Sequence, residues 1–230
     1  MARGKAAPDP ASEHPASPGV FGVERAGAFI DAVVAIAMTL LILPLMESVG
    51  DVADAGDDTL HWLCEHRQQL VSFVLSFVII AMFWMFHHRL FRRVTAITSA
   101  LMWLLVGWLL TIVWLPVATA ITGVMDDSDA LAKVIYVGSM IATSLFSLAI
   151  RLYLRARPQL HDTPATSLVS AIVADVSTTL LFAVALAIAL LVPQIGYSAL
   201  FLMLLTPAVQ SLALRLMQRT PPDSGRKGEP

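Results

Sequence analysis

Charge is scarce in this chain: 14% of its 230 residues are Asp, Glu, Lys or Arg, while 57% are hydrophobic and the mean hydropathy is +0.74. Such a balance excludes an ordinary soluble domain, and no nucleic-acid partner is implied. Cysteine is nearly absent. The single Cys64 excludes an internal disulfide framework and the repeated thiol spacing of a zinc site. Strand-like alternation is missing too, and runs such as LLFAVALAIALLV are apolar on every face, which excludes a transmembrane barrel with a polar lumen. The chain contains no Walker loop, nucleophile elbow, H-E-x-x-H or dinucleotide fingerprint, so no enzyme activity, catalytic residue, metal or cofactor is indicated. No T-V-G-Y-G-type loop is available to build a carbonyl cage for ions.

What the chain does have is long apolar runs. Crossing a hydrocarbon layer of roughly 30 Å takes about 20 residues. Runs of that length occur at 25–46, 68–86, 94–121, 131–154, 166–192 and 197–217, which predicts an all-α integral membrane protein with six transmembrane helices. Residues 1–22, rich in Pro, Ala, Ser and Gly, read as a disordered cytoplasmic tail without the apolar core of a signal peptide. Residues 23–219 form the membrane domain, and 220–230 read as a second cytoplasmic tail. All but two of the 15 basic residues, Arg67 and Lys133, fall before the first span or after the second, fourth and sixth. The loops between carry Glu47, Asp51, Asp54, Asp57, Asp58, Asp126, Asp127 and Asp129. The positive-inside rule therefore puts both termini in the cytoplasm.

The first span holds an anomaly. Asp31 lies at the mouth of a helix that reads as uninterrupted to Met46, and an ionised group at membrane depth costs about 2.5 to 3.5 kcal/mol unless it is paired inside a bundle. At about 100° per residue, Phe29, Ala32, Ile36, Thr39, Leu43 and Met46 share one stripe, while Asp31 sits about 140° from Ile36. One consistent arrangement turns Ile36, Thr39 and Leu43 towards a central axis and Asp31 sideways into its own subunit. The second span ends in Trp84, His87, His88 and Arg89 at the level of Arg25 and Asp31, and Trp84 and His87 carry donors for such a carboxylate. Read more plainly, Arg89, Arg92 and Arg93 are positive-inside anchors and the histidines interfacial residues. The stripe itself can equally be ordinary helix packing.

These residues resemble the transmembrane protein 175 family of potassium channels. E-R-A-G-A-F-I-D-A-V-V-A-I-A-M-T-L-L-I-L is similar to that family's first-helix signature, Arg, three residues, then Phe-Ser-Asp, and F-W-M-F-H-H-R-L-F is similar to the end of its second helix. The specific motifs occupy about thirty residues, while the six-span architecture matches the whole membrane domain. Ile30 stands where the family has Ser, so that hydroxyl is missing from the motif. The resemblance implies a homotetramer in the cell membrane that conducts potassium ions through an axis lined by the first helices. It also implies a constriction at Ile36, a selectivity position at Thr39, an outer apolar layer at Leu43, and a supporting network of Arg25, Phe29, Asp31, Trp84 and His87. A ring of Ile36 side chains would gate by dewetting, with Thr39 hydroxyls replacing part of the lost hydration, so selectivity is expected to be modest. The acidic outer loops would enrich cations at the mouth.

Other constellations are weaker. His61, Cys64, Glu65 and His66 have helical spacing that can hold zinc, but they read as a solvated lead-in to the second span. Asp175, in the fifth span near Ser170, Ser177 and Thr178, reads as a polar interhelical contact, with a proton path as the other option. Pro44, Pro116, Pro193 and Pro207 permit kinks, and Gly107 and Gly138 allow close helix approach. The alternative function is a proton-coupled or other secondary transporter using Asp31, Asp175 and His87, with a non-conducting scaffold as a third class. A transporter usually breaks its helices near the midplane. The first span has no Gly or Pro between Ala28 and Leu43, which predicts a continuous pore wall.

Overall fold

A computed structural model describes residues 22–55, 59–125 and 129–191. The sixth predicted span at 197–217, the tail at 220–230, nearly all of the first tail, and Asp57, Asp58, Asp126 and Asp127 lie outside these residues. The helices are α1 (Val23–Leu40), α2 (Leu43–Ala55), α3 (Thr59–Glu65), α4 (Arg67–Phe91), α5 (Ser99–Val124), α6 (Ala130–Arg155) and α7 (Ala165–Leu191). Five stretches are long and apolar enough to cross a membrane: Val23–Val49, which spans α1 and part of α2, then α4, α5, α6 and α7. The described residues contain no β-strand, only one isolated bridge.

The expectation of an unbroken first helix does not hold. The α-helical hydrogen-bond ladder stops at Leu40, and α2 resumes at Leu43, with Ile42 N–H turning back to the Thr39 carbonyl at 3.3 Å. The cause is Pro44. It has no N–H to give the Leu40 carbonyl four residues earlier, and its ring crowds that position, so the ladder opens one turn before it. Leu43 therefore begins a second helical segment and does not continue the one that carries Ile36 and Thr39.

Side-chain caps fix the starts of α5 and α6. Thr98 accepts the Leu101 N–H and starts α5, which releases Val94 from the predicted third span into a linker. Asp129 accepts the N–H groups of Leu131 and Ala132 and starts α6. α5 is the central helix. It packs against α1, α4 and α6, and its buried residues (Leu101, Leu105, Trp108, Ile112, Leu115 and Ala118 among them) face all of them. α6 and α7 form the tightest remaining contact. Gly107 lets α5 and α6 close up, since a Cβ there would lie 2.3 Å from the Phe146 ring. A Cβ on Gly138 would meet nothing, so the predicted close approach at that glycine is absent.

Hydroxyls tie the bundle together across its width, where lipid offers no competing donor. Thr119 of α5 donates to Ser76 of α4 at 2.8 Å, and Ser76 meets the Tyr136 hydroxyl of α6 at 2.6 Å. Such contacts contribute about 0.6 to 2 kcal/mol each inside a membrane. At one end of the bundle the α4–α5 and α6–α7 linkers lie side by side, joined by the Val94–His161 bridge, Thr95 N–H to the Leu160 carbonyl and Asp162 N–H to the Arg93 carbonyl. That end gathers Arg89, Arg92, Arg93, Arg155 and Arg157. The opposite end holds Lys133, assigned from sequence to an outer loop but in fact buried within α6 with its Nζ 3.0 Å from the Ala189 carbonyl. Ala189 lies in the last turn of α7, where carbonyls have no N–H within the helix to accept from, and the ammonium supplies a donor.

Candidate functional site

α1 shows two faces. Ile30, Val34 and Ala37 are buried against α4 and α5, and Leu41 and Leu45 extend that buried line past the break. The opposite face is open: Phe29 is 62% exposed, Ile36 59%, Leu43 50% and Met46 62%, and Thr39 is exposed among them. Of the positions on this face between Asp31 and Met46, only Thr39 is polar. Its Oγ1 donates to the Ile36 carbonyl at 2.8 Å. With its one proton committed to its own helix, the hydroxyl has only lone pairs to offer outward, which suits a cation.

Asp31 turns away from this face towards α4. Trp84 Nε1 donates to Asp31 Oδ1 at 2.8 Å, and His88 Nδ1 lies 3.6 Å from Oδ2. The two rings are neighbours, with centroids 5.5 Å apart. The carboxylate keeps 42% of its accessible surface, so water still shares its solvation. The histidine beside it is His88; His87 instead stacks on Trp108 at 4.2 Å and on Phe91 at 5.6 Å. His87 is buried, and its Nε2 has no hydrogen-bond partner among the described residues. Helical spacing could not choose between the two, since both fall within about 60° of Trp84. The bulk of Trp108 on one side of α4 decides it.

Arg25 and Phe29 stand apart from the carboxylate. They line a groove between α1 and α5 with Met102, Leu105 and Leu109, and Arg25 makes no ion pair among the described residues. Ile30 is buried at 3% exposure in the hydrophobic core, where an aliphatic side chain fills space that a hydroxyl would leave unfilled. The predicted network thus divides into three: Asp31 with Trp84, His87 in the core, and Arg25 with Phe29 on the outer groove.

A second carboxylate site had only half a signal in the sequence. Arg151, counted from sequence among the basic residues after the fourth span, is buried in α6 and its Nε donates to Asp175 Oδ2 of α7. Asp175 was expected to make an interhelical contact; its partner is a full cation. An intramembrane acid requires a counterpart, and Arg151 is the basic residue in α6 whose flexible stem reaches it. The His61 cluster assembles no ligand set. His61 and Glu65 are exposed and 3.9 Å apart, His66 turns back to the Trp62 carbonyl, and no three His, Cys, Asp or Glu residues converge among the described residues.

Comparison with known proteins gives this geometry a context. The family model described as endosomal/lysosomal potassium channel TMEM175 matches residues 25–116. A potassium channel of Streptomyces collinus is 31% identical over 141 residues, covering 60% of this chain and 67% of the relative. The endosomal/lysosomal proton channel TMEM175 of Gallus gallus is 38% identical over 104 residues, 43% of this chain but only 21% of that longer protein. In three dimensions, the crystal structure of a lysosomal potassium-selective channel TMEM175 homolog from Chamaesiphon minutus matches with a TM-score of 0.64. It covers 84% of this chain and 97% of the other at 21% identity, a likeness of fold.

Proposed function

The chain belongs to the TMEM175 family, and on that premise we propose that it is a passive cation channel of a prokaryotic plasma membrane, formed by four copies around an axis lined by α1. The observation that carries this reading is the open face of α1, which places one lone-pair-bearing hydroxyl, Thr39, among large apolar side chains. Ile36 forms the constriction, Thr39 follows about 4.5 Å further along the axis, and Leu43 forms a second apolar layer after the break. Rings of Ile36 strip part of an ion's hydration and dewet when narrow, and Thr39 oxygens replace part of what is lost. Discrimination between potassium and sodium is modest, because four hydroxyls are a weaker cage than stacked carbonyl rings.

Relatives bear the names of both potassium and proton channels. Potassium is favoured here because a side-chain proton relay needs exchangeable groups in series, and Thr39 stands alone on the open face of α1 between Asp31 and Met46. Reversal potentials in liposomes under a potassium gradient at fixed pH, and under a pH gradient at fixed potassium, separate the two ions. Saturable flux coupled to a second ion would overturn the channel reading. Ile36→Asn replaces the apolar ring with a wettable one. Currents should rise about tenfold or more, as expected if dewetting contributes at least 1.4 kcal/mol to the barrier, with poorer discrimination against sodium. Currents and reversal potentials equal to those of the wild type would remove Ile36 from the constriction.

A further inference from the structure

Between the last turns of α4 and the first turns of α7, at the arginine-rich end of the bundle, lies a cleft lined by Arg89, Arg93, Arg151, Thr163, Ser167 and Ser170. Arg151 is occupied by Asp175. Arg89, in the last turn of α4, and Arg93, two residues past its end, are exposed and form no ion pair among the described residues. The nearby Asp162 is tied to Arg93 through its backbone N–H, and its carboxylate makes no ion pair with either arginine. Asp175 is the one acid in the lining, and it is already neutralised. The cleft therefore carries a surplus of two guanidinium groups. Thr163 adds a second signal: it lines the cleft, and its buried Oγ1 has no hydrogen-bond partner among the described residues, a costly condition for a hydroxyl. Ser167 lies in the first turn of α7, where backbone N–H groups have no helical acceptor and the helix dipole favours an anion.

We propose that this cleft binds a phosphate-bearing anion through Arg89 and Arg93, with Thr163 and the first turn of α7 as further donors. Two planar donor forks lining one cleft match the several oxygens of a phosphate better than a single carboxylate. The place suits it as well, because basic clefts between spans at the cytoplasmic surface lie at the depth of lipid phosphates. Two sources offer the same chemistry, a lipid headgroup and free phosphate. The site stands independently of the conduction reading, since no residue of the open α1 face takes part.

The test uses the full-length protein in detergent, loaded with phosphatidylcholine alone or with phosphatidylcholine plus phosphatidylglycerol, with retained lipid counted by native mass spectrometry. A separate arm titrates inorganic phosphate and follows its line width by phosphorus NMR. The double variant R89Q/R93Q should lower phosphatidylglycerol retention by about fivefold or more, whereas R92Q/R155Q, which removes the same charge from arginines outside the cleft, should change it by less than about twofold. All four side chains are exposed, so unchanged elution volume checks that each variant is folded. Phosphate broadening that R89Q/R93Q abolishes and R92Q/R155Q retains, without selective lipid retention, assigns the site to soluble phosphate. Equal losses from the two double variants reduce the effect to general surface charge and overturn the site. So does a wild-type protein that neither retains the anionic lipid nor broadens phosphate.

Discussion

Asp31 and Asp175 are both carboxylates inside apolar helices, and they are held in opposite ways. Asp31 sits midway along α1, keeps 42% of its surface, and is anchored by an indole N–H with an imidazole beside it. Asp175 lies ten residues into α7, is buried, and is met by the Arg151 guanidinium. The difference follows access to water. Where water reaches the carboxylate, one neutral donor suffices to orient it. Where water is excluded, removing a charge from solvent costs several kcal/mol, and only an opposite charge with good geometry offsets that cost. The first arrangement tethers α1 at its middle and leaves its far face free. The second locks α6 to α7 and leaves nothing mobile.

This contrast breaks most visibly if one buried partner is removed. Arg151→Met strands the Asp175 carboxylate in the α6–α7 interface and should cost about 3 to 5 kcal/mol, measured by denaturing-detergent titration followed by circular dichroism. The double variant R151M/D175L replaces both charges with apolar groups and should recover most of that loss. If R151M alone costs less than 1 kcal/mol, water reaches Asp175 after all and the two carboxylates are not different in kind. Packing shows a parallel contrast within α5 and α6. Gly107→Ala drives a methyl to 2.3 Å from the Phe146 ring and should cost about 1 to 3 kcal/mol in the same titration. Gly138→Ala meets open space and should be neutral or gain up to about 1 kcal/mol from helix propensity.

The spans later described as α4 to α7 were legible in the sequence because apolar runs of membrane length have few other uses, while the cap at Thr98 that starts α5 five residues late was not read. The break in the first span was not, although its cause was. Pro44 was seen to permit a kink, but hydropathy summed over a window cannot say that the lost Leu40 hydrogen bond opens the helix there. Lys133 was misplaced for a related reason. A charge counts against burial in any composition rule, and its partner is a backbone carbonyl in the last turn of a neighbouring helix, which no local pattern around Lys133 identifies. At the candidate site, Asp31 was seen to need a donor, and Trp84 was among those named. The choice of His88 over His87 depends on Trp108, some twenty residues further along the chain, and no local pattern carries it.

Trp84 offers the next smaller effect. Trp84→Phe retains an aromatic ring but removes the N–H that holds Asp31 Oδ1 at 2.8 Å. A hydrogen bond to a charged group contributes about 1.5 to 3 kcal/mol when fully buried. Here exposure halves the need for it, and about 1 kcal/mol is expected. The more telling readout is conductance: with its anchor lost, α1 should populate more than one orientation, and single-channel currents should become noisier and acquire sublevels. An unchanged record would mean that the α1–α4–α5 packing alone fixes the helix, and that Asp31 does not serve as its tether.

The smallest effect separates the two adjacent histidines. His87 contributes an aromatic face to Trp108 and Phe91 and buries an Nε2 that no described residue satisfies. His87→Phe keeps the ring stack and deletes the unsatisfied nitrogen, so stability should stay within about 1 kcal/mol of the wild type, on the stabilising side, because an orphaned buried polar atom is a net cost. His88→Phe, by contrast, removes the second polar neighbour of Asp31 and should share the current noise of Trp84→Phe in milder form. If His87→Phe is instead the more disruptive of the pair, its Nε2 has a bound water or proton as partner, and the boundary between core and carboxylate network runs one residue earlier along α4.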